Sequence, residues 1–86
     1  MSRTISPEQP APTTTGEAWN RAINFLQGKT LLWSTERVTA ARNDALVKML
    51  HREMNYQWAK EDHATGIRVV RNWCKALLIA GREWRP

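Results

Sequence analysis

Five tryptophans, Trp19, Trp33, Trp58, Trp73 and Trp84, constrain this 86-residue chain more than any other feature. A domain of this size buries a modest fraction of its surface and needs reinforcement. A disulfide within the chain is excluded, because Cys74 is the only cysteine. Large apolar side chains remain as the available reinforcement. Burying one tryptophan removes roughly 150–250 Å² from water. At about 25 cal/mol per Å² that contributes up to ~4–6 kcal/mol. Net folding stability is typically only about 5–15 kcal/mol, so two or three buried tryptophans decide whether the chain folds. Those left exposed become candidate contact residues. The lone cysteine also fits a reducing compartment.

The apolar residues repeat at helical spacing, no segment alternates as a strand would, and no internal repeat is evident. The expected fold class is all-α: a small three-helix domain, built as a long helical hairpin plus a shorter N-terminal helix. Residues 1–15, with Pro7, Pro10, Pro12 and the run Thr13-Thr14-Thr15, read as a disordered tail, and residues 16–86 as a single helical domain. The tail lacks a Pro-x-x-Pro pair with basic flanks, so it does not read as a proline-recognition ligand. A first helix is expected from near Glu17, where Thr14 and Glu17 have capping-box spacing. Trp19, Ala22, Ile23 and Leu26 form its apolar stripe, and Gly28 its stop. Leu31-Leu32-Trp33 then reads as an apolar link packed on the core.

The second helix is expected to run unbroken from about Thr35 to Lys60. Val38, Ala41, Ala45, Met49 and Tyr56 share one stripe, widened by Leu46, Val47, Leu50, Met54 and Trp58. So broad an apolar surface implies more than one packing partner. The polar strip opposite carries Arg37, Asp44, Lys48, His51 and Asn55, with Asp44 and Lys48 spaced for an ion pair. Asp62-His63-Ala64-Thr65-Gly66 reads as a turn. The third helix is expected from about Ile67 to Ala80, with Gly81 as its stop and Ile67, Val70, Cys74, Leu77 and Leu78 as its stripe.

Several chemistries are disfavoured. Gly28-Lys29-Thr30 has the ending of a phosphate-binding loop, but Ile23 stands where that loop requires glycine, and the preceding segment is helical. Cys74 lies on an apolar stripe, where a thiol is protonated and inert. His51, His63 and Cys74 have no paired metal-ligand spacing, and nothing resembles a carboxylate dyad on a cleft. The expectation is a protein that is not an enzyme, with no cofactor, no metal and no small-molecule substrate. The first residues lack the apolar run of a signal peptide, and no stretch suits a membrane span, so the cytoplasm is the expected location.

Charge supplies the positive signal. The chain carries 13 Lys and Arg against 8 Asp and Glu. Residues 66–86 hold Arg68, Arg71, Lys75, Arg82 and Arg85 against Glu83 alone, while residues 35–65 are neutral overall. Arg68, Arg71, Lys75 and Arg82 fall in one sector of a helix, and Trp84 sits between Arg82 and Arg85. Tryptophan and arginine are the residues enriched at binding hot spots. The leading expectation is a small adaptor or inhibitor that contacts an acidic protein surface through Arg68, Arg71, Lys75, Arg82, Trp84 and Arg85. The alternative is a nucleic-acid-binding protein that lays the same basic helix on the phosphate backbone. Both accommodate a homodimer.

Overall fold

The computed structural model describes residues 10–86, so the expected tail of residues 1–15 lies largely outside the described residues. The protein is all-helical, with four helices rather than three: α1 (Thr15–Lys29), α2 (Thr35–Asn43), α3 (Ala45–Ala59) and α4 (His63–Glu83). No strand occurs among the described residues. No helix among them is long and apolar enough to cross a membrane.

The extra helix arises at Asp44. Instead of pairing with Lys48 inside one long helix, Asp44 turns its backbone to ψ 138° and accepts hydrogen bonds from the N–H groups of Leu46 and Val47. A carboxylate that satisfies two free N–H groups starts a helix. The break also rotates the register. Val38 and Ala41 turn inward from α2, while α3 turns in Val47, Leu50, Met54 and Gln57. Met49 and Tyr56, expected on the buried stripe, are 52% and 56% exposed.

Both expected glycine stops are passed. The α1 helix runs through Gly28 to Lys29, because Thr30 closes it with two bonds: its N–H and its Oγ1 both donate to Leu26 O, at 2.9 and 2.8 Å. The α4 helix runs through Gly81 to Glu83, and Gly81 serves packing instead, since the ring of Trp33 occupies the space a Cβ would take. In the expected Leu31-Leu32-Trp33 link only Trp33 packs; Leu31 and Leu32 are 78% and 94% exposed.

The expected turn before the last helix is its cap and first turn. Asp62 accepts from Thr65 N–H, and His63 opens the helix. The turn itself lies earlier. Glu61 adopts φ 60°, its N–H bonds to Trp58 O, and Asp62 N–H bonds to Gln57 O. This is a Schellman closure with glutamate where glycine is usual.

The α4 helix is the centre of the fold and packs against each of the other three, most extensively against α3. Ala41, Val47, Trp73 and Leu77 anchor one part of the core, and Ala18, Met54, Val69 and Val70 the other. Trp19, Ala22 and Leu50 join the two. Of the five tryptophans, Trp73 is buried, Trp19, Trp33 and Trp84 are half-buried, and Trp58 is exposed. The α1 and α2 helices do not touch. The domain is therefore a slab with extents of 46 × 38 × 15 Å and a radius of gyration of 14.7 Å. A compact domain of this length has roughly 12 Å. A slab exposes two broad faces, which is why so many large apolar side chains stay accessible.

Candidate functional site

Four of the six expected contact residues come together on α4. Arg68, Arg71, Lys75 and Arg82 are all exposed. At 100° per residue they fall within about 60° of one another, on the side opposite the buried Trp73 and Leu77. The ridge follows from the amphipathic pattern: α4 buries Val69, Val70, Trp73, Leu77 and Leu78, which leaves these cations outward. Its exposed face also carries Asn72 and the 51% exposed Ile79.

Trp84 and Arg85 are placed differently. Trp84 follows the end of α4 and is half-buried. Arg37 of α2 holds it, with the guanidinium 5.3 Å from the ring centroid and Nη1 donating to Trp84 O at 3.1 Å. The same Nη1 donates to Gly81 O. A guanidinium here satisfies carbonyls at the negative end of the helix dipole. Arg85 folds back to donate to Arg82 O at 3.0 Å and Trp84 O at 3.2 Å. Both residues thus help close the C-terminal end of α4.

The broad apolar surface expected on the second helix is partly exposed, on α3. Leu46, Met49 and Tyr56 of α3 are 50%, 52% and 56% exposed. On the α3 projection they lie away from the inward-facing Val47 and Met54. Because α3 packs most extensively against α4, this apolar stripe and the basic ridge are carried by neighbouring helices. Lys60 Nζ stands 4.9 Å from the centre of the Tyr56 ring and adds a cation to it. Glu53 lies within the stripe and accepts from Gln57 Nε2 at 2.6 Å. Positions 46, 49, 53 and 56 have 3-4-3 spacing in the sequence, but an unbroken second helix places Leu46, Met49 and Tyr56 on one stripe with Val38 and Ala41, which the break at Asp44 separates from them.

Cys74, His63 and His51 lie in the packing between helices. Burial pushes the Cys74 thiol up, which keeps it protonated. His63 Nδ1 accepts from Thr15 N–H at 3.1 Å and lies 3.0 Å from Thr15 Oγ1. His51 packs edge-on to Trp19, with ring centroids 5.7 Å apart. Among the described residues, no group of three or more His, Cys, Asp or Glu side chains is placed to hold a metal ion. Comparison with protein-family models, with curated proteins and with solved structures finds no match for this chain.

Proposed function

We propose that this chain is a small non-catalytic binding protein that docks an acidic partner protein across the outer face of α3 and α4. The observation that carries this reading is an exposed Leu46–Met49–Tyr56 stripe on α3 and an exposed Arg68–Arg71–Lys75–Arg82 ridge on the helix packed against it. Apolar anchors flanked by arginines match the composition of protein-binding hot spots. Trp84 and Arg85 follow the ridge in the chain and close the C-terminal end of α4. Charge complementarity steers an acidic partner to the ridge, and the apolar stripe then holds it. A second copy of this chain is disfavoured as the occupant, because pairing the stripe with itself brings a Glu53 carboxylate from each copy into the contact.

The ridge also supports the nucleic-acid reading, since four cations on one helix suit a phosphate backbone. The apolar stripe favours protein, because phosphate contacts leave it unused. Backbone amide spectra of the labelled protein separate the two. The probes are an acidic amphipathic helical peptide and a mixed-sequence duplex, each at about 50 and 200 mM salt. The expected result is that the peptide perturbs residues of both α3 and α4, and that Met49→Lys weakens it. Duplex binding with a slope of roughly −3 to −4 in log K against log salt, indifferent to Met49→Lys, transfers the assignment to nucleic acid. Binding of neither probe overturns both.

A further inference from the structure

The other face of the slab holds a cavity of about 650 Å³, open between α1 and α2. It exists because those two helices do not touch. Its volume lies within the roughly 300–1,000 Å³ of small-ligand sites. Three of the five tryptophans line it: Trp19 from α1, Trp33 from the connection and Trp73 from α4. Trp19 and Trp73 lie with ring centroids 4.8 Å apart, tilted by 39°.

The rim is cationic. Arg42 of α2 and Lys48 and Arg52 of α3 line the cavity, all three exposed, and no carboxylate among the described residues lines it. This segregation is invisible in the charge sum for residues 35–65, which is zero. Three of the five acids of that segment are used elsewhere: Asp44 and Asp62 cap helices, and Glu53 bonds to Gln57. The other polar residues of the lining are Gln27, Thr30 and His51. The Thr30 hydroxyl gives its proton to Leu26 O, so it can offer a lone pair to a ligand. The Gln27 amide offers both a donor and an acceptor.

We propose that this cavity binds a nucleotide as a ligand, with the base against the tryptophan wall and the phosphate against Arg42, Lys48 and Arg52. Tryptophan stacks on any base, and arginine pairs bidentately with phosphate oxygens. Gln27 and Thr30 stand ready for the hydrogen-bonding edge of the base. An inorganic anion would leave the aromatic wall unused, and an uncharged aromatic would leave three cations without a counter-charge. The nucleotide is either free or part of a single strand, since the recognising chemistry is the same. The site does not depend on the proposed docking face, whose basic ridge lies on the side of α4 opposite the cavity-lining Trp73 and Leu77.

The indole N–H signals of the labelled protein give the test, because the three lining tryptophans report separately from Trp58 and Trp84. The probes are adenosine monophosphate, adenosine, inorganic phosphate and a single-stranded oligodeoxyadenylate, each raised to ~1 mM and beyond. The expected result is movement of the Trp19, Trp33 and Trp73 signals with the nucleotide and weaker responses to adenosine or phosphate alone. Arg52→Ala should weaken binding roughly tenfold, the usual consequence of losing one charged hydrogen bond, and Lys48→Ala/Arg52→Ala further. Both side chains are exposed, so the fold should be retained; Gln27→Trp, which narrows the opening without removing a cation, is the second variant and should also weaken binding. Response to the monophosphate marks a free nucleotide, and response to the oligonucleotide alone marks a strand; either supports the site. The proposal is overturned if no lining indole moves with any nucleotide, if Trp84 and the α4 ridge respond in their place, or if the double variant binds as well as the wild type.

Discussion

The two ends of α4 are held by the same device with opposite chemistry. At the N-terminal end, Gly66 makes room for the fully buried Thr15, whose N–H bonds to His63. At the C-terminal end, Gly81 makes room for Trp33, and Arg37 reaches across to the last carbonyls. Each glycine lets a neighbouring element approach the helix backbone. The supporting group then matches the local dipole: the Asp62 carboxylate at the positive end, the Arg37 guanidinium at the negative end. The difference lies in what is seated. A small hydroxyl residue is tied by hydrogen bonds, whereas a rigid indole is held by shape. The C-terminal seat also bears on the cavity, because the Trp33 held there is part of its lining.

The largest effect should come from filling the seats. A Cβ on Gly81 meets the Trp33 ring, and one on Gly66 meets the Thr15 side chain. Overpacking of this kind costs up to about 3 kcal/mol. Gly81→Ala should lower the melting temperature, and Trp33→Leu in the same chain should recover part of the loss. Strictly additive effects would show that the ring and the glycine are not coupled. Next comes His63→Ala, which leaves the Thr15 N–H without its partner at a fully buried residue. Denaturant titration should show a loss of about 2 kcal/mol. If the loss is negligible, the N-terminal seat is held by shape alone, like the other end.

A smaller change, of the opposite sign, is expected at Glu61. Its φ of 60° is costly for any residue with a Cβ. Glu61→Gly should raise stability by about 1 kcal/mol, despite the greater freedom of glycine in the unfolded chain. The smallest effect is a pH dependence. The Thr13 N–H, followed by the Thr13 hydroxyl, holds the Glu17 carboxyl below its ordinary range. The Thr65 N–H, followed by its side chain, does the same for Asp62. A lowered folded pKa contributes stability that is complete above the unfolded value and disappears as pH falls through the folded one. The melting temperature should therefore decline on acidification below about pH 4. The decline should be shallower in Asp62→Asn, with the N-terminal seat of α4 losing its charge complement.

Much of the fold is legible locally. The Thr14–Glu17 capping box closes as spaced, with Glu17 Oε1 accepting from Thr14 N–H and Thr14 Oγ1 accepting from Glu17 N–H. The inward residues of α4 follow from the apolar period, and so does the clustering of its four cations. Expectation and structure part where one residue type serves two ends. Asp44 suits an ion pair or a cap, and the competition is settled by whether the chain must bend to pack both Ala41 and Val47. Gly28 and Gly81 suit a helix stop or a close approach, and only the position of Trp33 reveals which applies at Gly81. The cavity was hidden for a related reason. Its lining comes from all four helices and one connection, so no spacing in the chain displays it.

Sequence alone determined that this chain is helical, that one cysteine cannot staple it, and that the last helix carries a basic ridge. These properties depend on neighbours within about one or two helical turns, where side-chain spacing and capping act. Tertiary packing decided that the long helix breaks, that Met49 and Tyr56 face outward, and that three tryptophans line a hollow rimmed by cations. Those outcomes depend on contacts between elements far apart in the chain, with α4 between them, and a flat domain of this size cannot bury both of its faces.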